Sequence, residues 1–352
     1  MGEPVVREPA TRVRTVDYHS AGEPFRIVLD GLPPVPGDSV AERRAIAIGA
    51  GGSATAPRAS ALDEVRQLLS REPRGHAGMY GGFVVPADDA EAHLGVLFWH
   101  KDGYSTACGH GTIALGAWAV DSGLVAAPDN GVARVRIDVP SGRVTALVHR
   151  AEGRTTGVTF RNVPTRVAEL KLALETSRGP VEVAVAHSGA CYASVPAASL
   201  GLAVEAGQLP ELTAAGREIR DLLAGSAAVS HPDDPRLSGV YGVILYDELG
   251  VDGGVLSQRN VTVFADGQID RSPCGSGTSA RLAILAAEGR LAPGEELRHE
   301  SIIGTVFGGR VLAGGDPLGE GVVTEVTGTA HRTGEHLFQL EDGDDLGTGF
   351  LL

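Results

Sequence analysis

Two short segments carry the residues best suited to chemistry. ACGHGTIALGAWAV and PCGSGTSARLAILA align without a gap on Cys-Gly-x-Gly-Thr followed by an apolar run, with Cys108 and Cys274 at the head of each motif. The glycines clear side chains from the backbone, and the first N–H groups of a helix starting there point outward as donors for an anion. The same helix dipole favours a thiolate, so each cysteine is expected to titrate below its ordinary range. Each segment thus offers a reactive sulfur beside a seat for a carboxylate. Two such units facing each other would place one sulfur on either side of a bound carboxylate. Inverting a tetrahedral carbon without a cofactor needs that arrangement, a thiolate removing a proton from one face and a thiol returning one to the other. Hydrogen bonds from both helix starts would stabilise the enediolate-like charge that develops on the carboxylate.

The elements that must position these motifs recur in the same order. In the first part, hydrophobic periodicity predicts strands near 12–17 and 25–29 and helices near 38–48 and 59–71. Strands near 79–86 and 93–100, a helix near 109–122 and alternating strands to about 160 follow. From about 180 the pattern returns. Strands near 181–186 and 191–195, a helix near 208–224 and strands near 240–247 and 259–265 lead to a second motif helix near 275–289 and strands to about 328. The two cysteines lie 166 positions apart (274 − 108), close to half of the 352 residues. This predicts an α/β (α+β) protein of two related halves, 10–170 carrying Cys108 and 171–345 carrying Cys274, with the boundary near 165–180 and the ligand in the cleft between them.

Composition narrows the partners. A formal charge of −14 with a pI near 5.2 leaves no clustered positive surface for nucleic acid or an anionic membrane. The first twenty residues have scattered charges and no apolar centre, and no apolar run approaches the length of a membrane helix, which predicts a cytoplasmic protein. Three cysteines without CxxC spacing disfavour a disulfide framework or structural zinc. Eleven histidines stand without ligand spacing, so no metal is expected. Only Lys101 and Lys171 are available for a Schiff base, which disfavours pyridoxal phosphate. Cys191 lies in AVAHSGACYASV, a strand-like stretch without the Gly-Thr helix start, and reads as a packing residue.

HSAGEPFRIV at 19–28, REPRGHAGMYG at 71–81, GYSTACGHGTIALG at 103–116 and DRSPCGSGTSARLA at 270–283 together resemble the proline racemase family. That family comprises proline racemases, 4-hydroxyproline 2-epimerases and trans-3-hydroxy-L-proline dehydratases. The resemblance implies the diaminopimelate epimerase-like fold, in which two pseudo-symmetric halves each wrap a sheet around a central helix, and it implies a homodimer. It places the catalytic pair at Cys108 and Cys274 and the carboxylate donors at the backbone of Gly109, His110, Gly275 and Ser276. It also sets Asp270 and His110 near the substrate amine and lines the ring pocket with Tyr80 and Phe264. The ligand it implies is a cyclic imino acid, proline or hydroxyproline, turned over without a cofactor.

The dehydratase branch resembles a pattern with threonine at the second cysteine position, so Cys274 favours racemisation or 2-epimerisation. The segments at 72–81 and 103–116 nonetheless also resemble that branch, which keeps dehydration as the alternative. A non-catalytic imino-acid binding or redox protein is a second alternative. Diaminopimelate epimerases usually read Cys-Gly-Asn-Gly where this chain has His110.

Overall fold

The computed structural model describes residues 11–49 and 60–352. The first ten residues, part of the stretch read as lacking a leader, and position 59 of the second helix expected from sequence lie outside them. In chain order the strands and helices are β1 (Thr11–Ser20), β2 (Glu23–Asp30), α1 (Val40–Ala47), α2 (Ala61–Ser70), β3 (Tyr80–Val85), β4 (Leu94–His100), β5 (Gly103–Tyr104), α3 (Gly109–Asp121), β6 (Gly131–Val139), β7 (Gly142–Ala151) and β8 (Arg154–Arg161). There follow β9 (Arg166–Thr176), β10 (Gly179–His187), β11 (Cys191–Pro196), α4 (Leu209–Leu222), β12 (Val240–Asp252), β13 (Val255–Phe264), β14 (Gln268–Asp270), α5 (Gly275–Ala287), β15 (Glu296–Ser301), β16 (Val306–Val311), β17 (Thr324–Gly328) and β18 (Ala330–Leu340).

Serine side chains start the first two helices. Ser39 accepts from the N–H of Glu42 and Ser60 from that of Asp63, satisfying donors that a helix start leaves free. The motif helices are of another kind. Twelve consecutive residues of α3, Gly109 to Val120, are buried, and eleven of α5, Gly275 to Leu285. A helix apolar all round belongs inside a layer of other elements rather than on a surface. Each is accordingly wrapped by strands, with Gly116 of α3 passing so close to β7 that a Cβ there would sit 2.5 Å from Ala146 Cβ.

Strand pairing repeats strand for strand. One half runs β18-β1-β2-β3-β4-β6-β7-β8. The other runs β9-β10-β11-β12-β13-β15-β16-β17. In both, the third and fifth pairings are parallel and the others antiparallel. The short β5 and β14 hang on the equivalent strands β4 and β13. Antiparallel pairing of β8 with β17 joins the halves into one sheet, and α3 and α5 share one hydrophobic core across the join.

The expected elements stand where the periodicity placed them, and besides the short β5 and β14 two strands were not expected. β9 falls in the stretch read as the boundary, and β18 was not foreseen as a strand. Both are edge strands with mostly exposed or half-exposed residues, so neither shows a buried alternation in sequence. Their pairing also links distant parts of the chain. The strand after β8 crosses to pair with β10, and the strand after β17 returns to pair with β1 along Thr11↔Leu340 to Ser20↔Ala330. Residues 330–340 therefore extend the first half's sheet beyond β1. Among the described residues no helix is long and apolar enough to cross a membrane.

Candidate functional site

The heads of α3 and α5 meet at the centre of the molecule. Gly109 and Gly275 face each other so closely that a Cβ on Gly109 would lie 2.7 Å from the backbone N of Ser276, and one on Gly275 would lie 3.2 Å from that of His110. Only glycine permits that approach. Cys108 and Cys274 precede these glycines, and both line a small, tightly closed cavity of about 10 Å³ between the halves. Tyr80, His110, Phe264 and Asp270 line it too. Of the residues expected at the site, Ser276 alone is absent from the cavity wall. It is buried behind Gly275, and its carbonyl accepts from Ser188 Oγ at 2.9 Å.

The two cysteines are held differently. Cys108 is extended, with φ −157°, and its Sγ accepts from the N–H of Gly111 at 3.2 Å as the cap of α3. Cys274 sits at φ 65°, a left-handed backbone that costs a non-glycine residue about 1–3 kcal/mol. Its N–H donates to Ser272 Oγ at 3.1 Å, and Ser272 donates in turn from N–H and Oγ to Asp270 Oδ1 at 2.8 and 2.7 Å. One turn thereby fixes the backbone of Cys274 and the carboxylate of Asp270. The neighbouring Arg271 does not pair with Asp270. Its backbone N–H and its guanidinium both reach Glu23 Oε2 at 2.8 Å, and the guanidinium also reaches the Gly78 carbonyl.

His110 bridges the halves. Its Nδ1 stands 3.4 Å from Cys108 Sγ and 3.9 Å from Asp270 Oδ2. Burial pushes it down to about 4, so its imidazole is neutral. The thiols depart from expectation: both lie well above the ordinary cysteine range. Burial is the first cause for each, the charge of Asp270 adds to it, and the N–H groups of Gly111 and Gly277 only partly offset them. A helix start lowers a thiol when water still reaches the sulfur, and here desolvation outweighs it.

Sequence reasoning missed two tyrosines in the wall, Tyr192 and Tyr241. Tyr192 Oη lies 3.8 Å from Cys274 Sγ, and Tyr241 Oη hydrogen-bonds Tyr80 Oη at 2.9 Å. Phe264 stacks on Tyr241 and meets Tyr80 edge-on. One signal was available: Tyr241-Gly242 in β12 repeats Tyr80-Gly81 in β3, 161 positions earlier. Glu23 was also passed over, although it is fully buried and one of its oxygens has no partner among the described residues. Burial next to Asp270 drives its carboxyl well above the usual range despite Arg271. Cys191 stays outside the cavity. It is 1% exposed in the core beneath α4, and burial raises it to about 12. Among the described residues no group of three or more His, Cys, Asp or Glu side chains is placed to hold a metal ion.

The family model described as proline racemase matches residues 15–351. The chain belongs to the proline racemase family. Among relatives in the proline racemase family, a human protein named trans-3-hydroxy-L-proline dehydratase is 41% identical over 355 residues, spanning 98% of this chain and 96% of its own. A Burkholderia multivorans protein named 3-hydroxyproline 2-epimerase is 39% identical over 345 residues, covering 96% of this chain and 97% of its own. The crystal structure of a hydroxyproline epimerase from Agrobacterium vitis, with bound trans-4-hydroxy-L-proline, superposes with a TM-score of 0.88. It is 30% identical and covers 98% of this chain and 97% of its own. The architecture is thus the diaminopimelate epimerase-like fold expected of a proline racemase family member.

Proposed function

We propose that the protein inverts Cα of proline or a hydroxyproline, by racemisation or 2-epimerisation, with Cys108 and Cys274 as alternating base and acid. The observation that carries this reading is the meeting of two equivalent helix starts, each headed by a cysteine, around one small cavity. The substrate carboxylate lies across the N–H groups of Gly109, His110, Gly275 and Ser276, and Asp270 holds the ammonium. The thiolate on one face takes the Cα proton. The thiol on the other face gives up its own to the carbanionic carbon, so the product leaves with inverted configuration and the two sulfurs have exchanged protonation states. A homodimer working in the cytoplasm completes the reading.

Dehydration of trans-3-hydroxy-L-proline is the second reading, favoured by the human relative's name at 41% identity over nearly the whole chain. It begins with the same loss of the Cα proton. The carbanion then expels the C3 hydroxyl as water, and the resulting enamine tautomerises to a cyclic imine. Proton NMR in heavy water with proline and the 3- and 4-hydroxyprolines separates the two. Deuterium at Cα with build-up of the inverted isomer supports inversion, whereas loss of the C3 proton signals to an imine supports dehydration. Absence of both Cα exchange and imine formation across the panel would overturn both.

A further inference from the structure

Three hydroxyls, of the buried Ser105 and Tyr80 and the half-buried Tyr241, form a chain that ends in the cavity. Ser105 Oγ, 2% exposed at the residue level, is hydrogen-bonded to Tyr80 Oη, which is hydrogen-bonded to Tyr241 Oη at 2.9 Å. Ser105 does not line the cavity, whereas Tyr80 and Tyr241 do. Among the described residues neither Ser105 Oγ nor Tyr241 Oη has another hydrogen-bond partner. Three hydroxyls carry three protons and the two links use two of them, so one proton is left over, at an end of the chain or on Tyr80 where its oxygen accepts from both neighbours. Were it on Ser105, a buried donor would face no acceptor, which a folded protein avoids. Ser105 therefore donates to Tyr80, and the remaining O–H belongs to Tyr80 or Tyr241, both at the cavity wall.

Both hydroxyls sit among aromatic rings. Phe264 stacks on the Tyr241 ring with centroids 5.6 Å apart, and Tyr80 stands at right angles to His110 at 4.9 Å. A plain methylene ring placed there would cover these hydroxyls without bonding to them. A hydroxyl on the ring would bond to Tyr241 Oη, as donor or as acceptor. We propose that Tyr241, oriented through Tyr80 by Ser105, reads a hydroxyl on the substrate ring and makes hydroxylated imino acids the preferred substrates over proline. This rests on the reading of the cavity as an imino-acid site. Tyr241 acts as the specificity residue, and Ser105 as a positioning residue that touches no substrate.

A hydroxyl covered without a partner discriminates by roughly ten- to a hundredfold. The experiment compares kcat/KM for proline and for trans-3- and trans-4-hydroxy-L-proline in the full-length protein, by Cα deuterium exchange. The wild type should favour at least one hydroxylated substrate over proline by tenfold or more. Tyr241→Phe should cut that preference at least tenfold, with proline in the same preparation correcting for general damage. Ser105→Ala should lower it in the same direction, because a chain without its serine can turn its protons either way, and it serves alone should Tyr241→Phe fail to fold. Equal turnover of all three substrates by the wild type would overturn the proposal while the inversion reading stands, as would an unchanged preference in both variants. Were no substrate to exchange, the inversion reading would fall, and calorimetric affinities of the same three compounds would decide the hydroxyl preference in its place.

Discussion

Gly109 and Gly275 touch backbone to backbone: a Cβ on Gly109 would lie 2.5 Å from Gly275 Cα, and one on Gly275 would lie 2.7 Å from Gly109 Cα. No side chain can rotate away from such a clash. Gly275→Ala must therefore push the two helix starts apart, which costs about 1–3 kcal/mol of stability and widens the gap between the sulfurs. Urea unfolding and Cα exchange on the same sample check this. A variant with both stability and turnover at wild-type level would show that the glycine contact does not hold the site together.

Inversion needs both sulfurs. Cys108→Ser and Cys274→Ser should each lower it by roughly a thousandfold, within the range that positioned acid–base groups contribute. Cys191→Ser should leave turnover near the wild-type rate, since Cys191 packs beneath α4 away from the cavity, although a hydroxyl buried there costs about 1–3 kcal/mol. The rates are read by polarimetry. Wild-type inversion in either of the first two variants would refute the two-thiol scheme.

Burial holds both cavity thiols above their ordinary range, so the free protein carries little thiolate at neutral pH. While that fraction is small, kcat/KM should climb with pH by about tenfold per unit and keep climbing past pH 8. A pH–rate profile between 6 and 10 tests the slope. A plateau already reached below pH 7 would mean that a thiolate is held against desolvation by something other than the residues around it.

His100 and His299 are buried neutral, each pushed down to about 3 by desolvation. In the unfolded chain both titrate near 6.5, so folding binds fewer protons than unfolding does at mildly acidic pH. Their contribution is complete above about pH 6.5 and is lost as pH falls from there toward 3, at about 1 kcal/mol per pH unit for each histidine. Guanidinium unfolding at pH 7, 6 and 5 measures it. Unchanged unfolding free energy over that range would contradict the burial of the neutral forms.

Much of the site is legible in sequence because it is built from local signals. A cysteine before two glycines and an apolar run specifies a helix start, and the repeat of that pattern predicts the pair. Asp270 is placed by the family resemblance, and its turn with Ser272 and Cys274 is made within five residues. Tyr241 and Tyr192 were harder to see, because each lies in a strand whose apolar pattern looks like core, and facing the cavity is a property of the sheet's curl. Their relation to Cys274 and Tyr80 spans 82 and 161 positions.

The sequence by itself determined the two helix starts, their sulfurs and the order of elements around them, since those depend on residues close along the chain. Tertiary structure decided the rest. It sent β9 and β18 across to opposite halves, because an edge strand with an exposed face carries no local mark of its partner. It also set the direction in which Cys108 and Cys274 titrate: the helix start that favours a thiolate is written in the motif, whereas the desolvation that outweighs it comes from how tightly two halves close over one cavity.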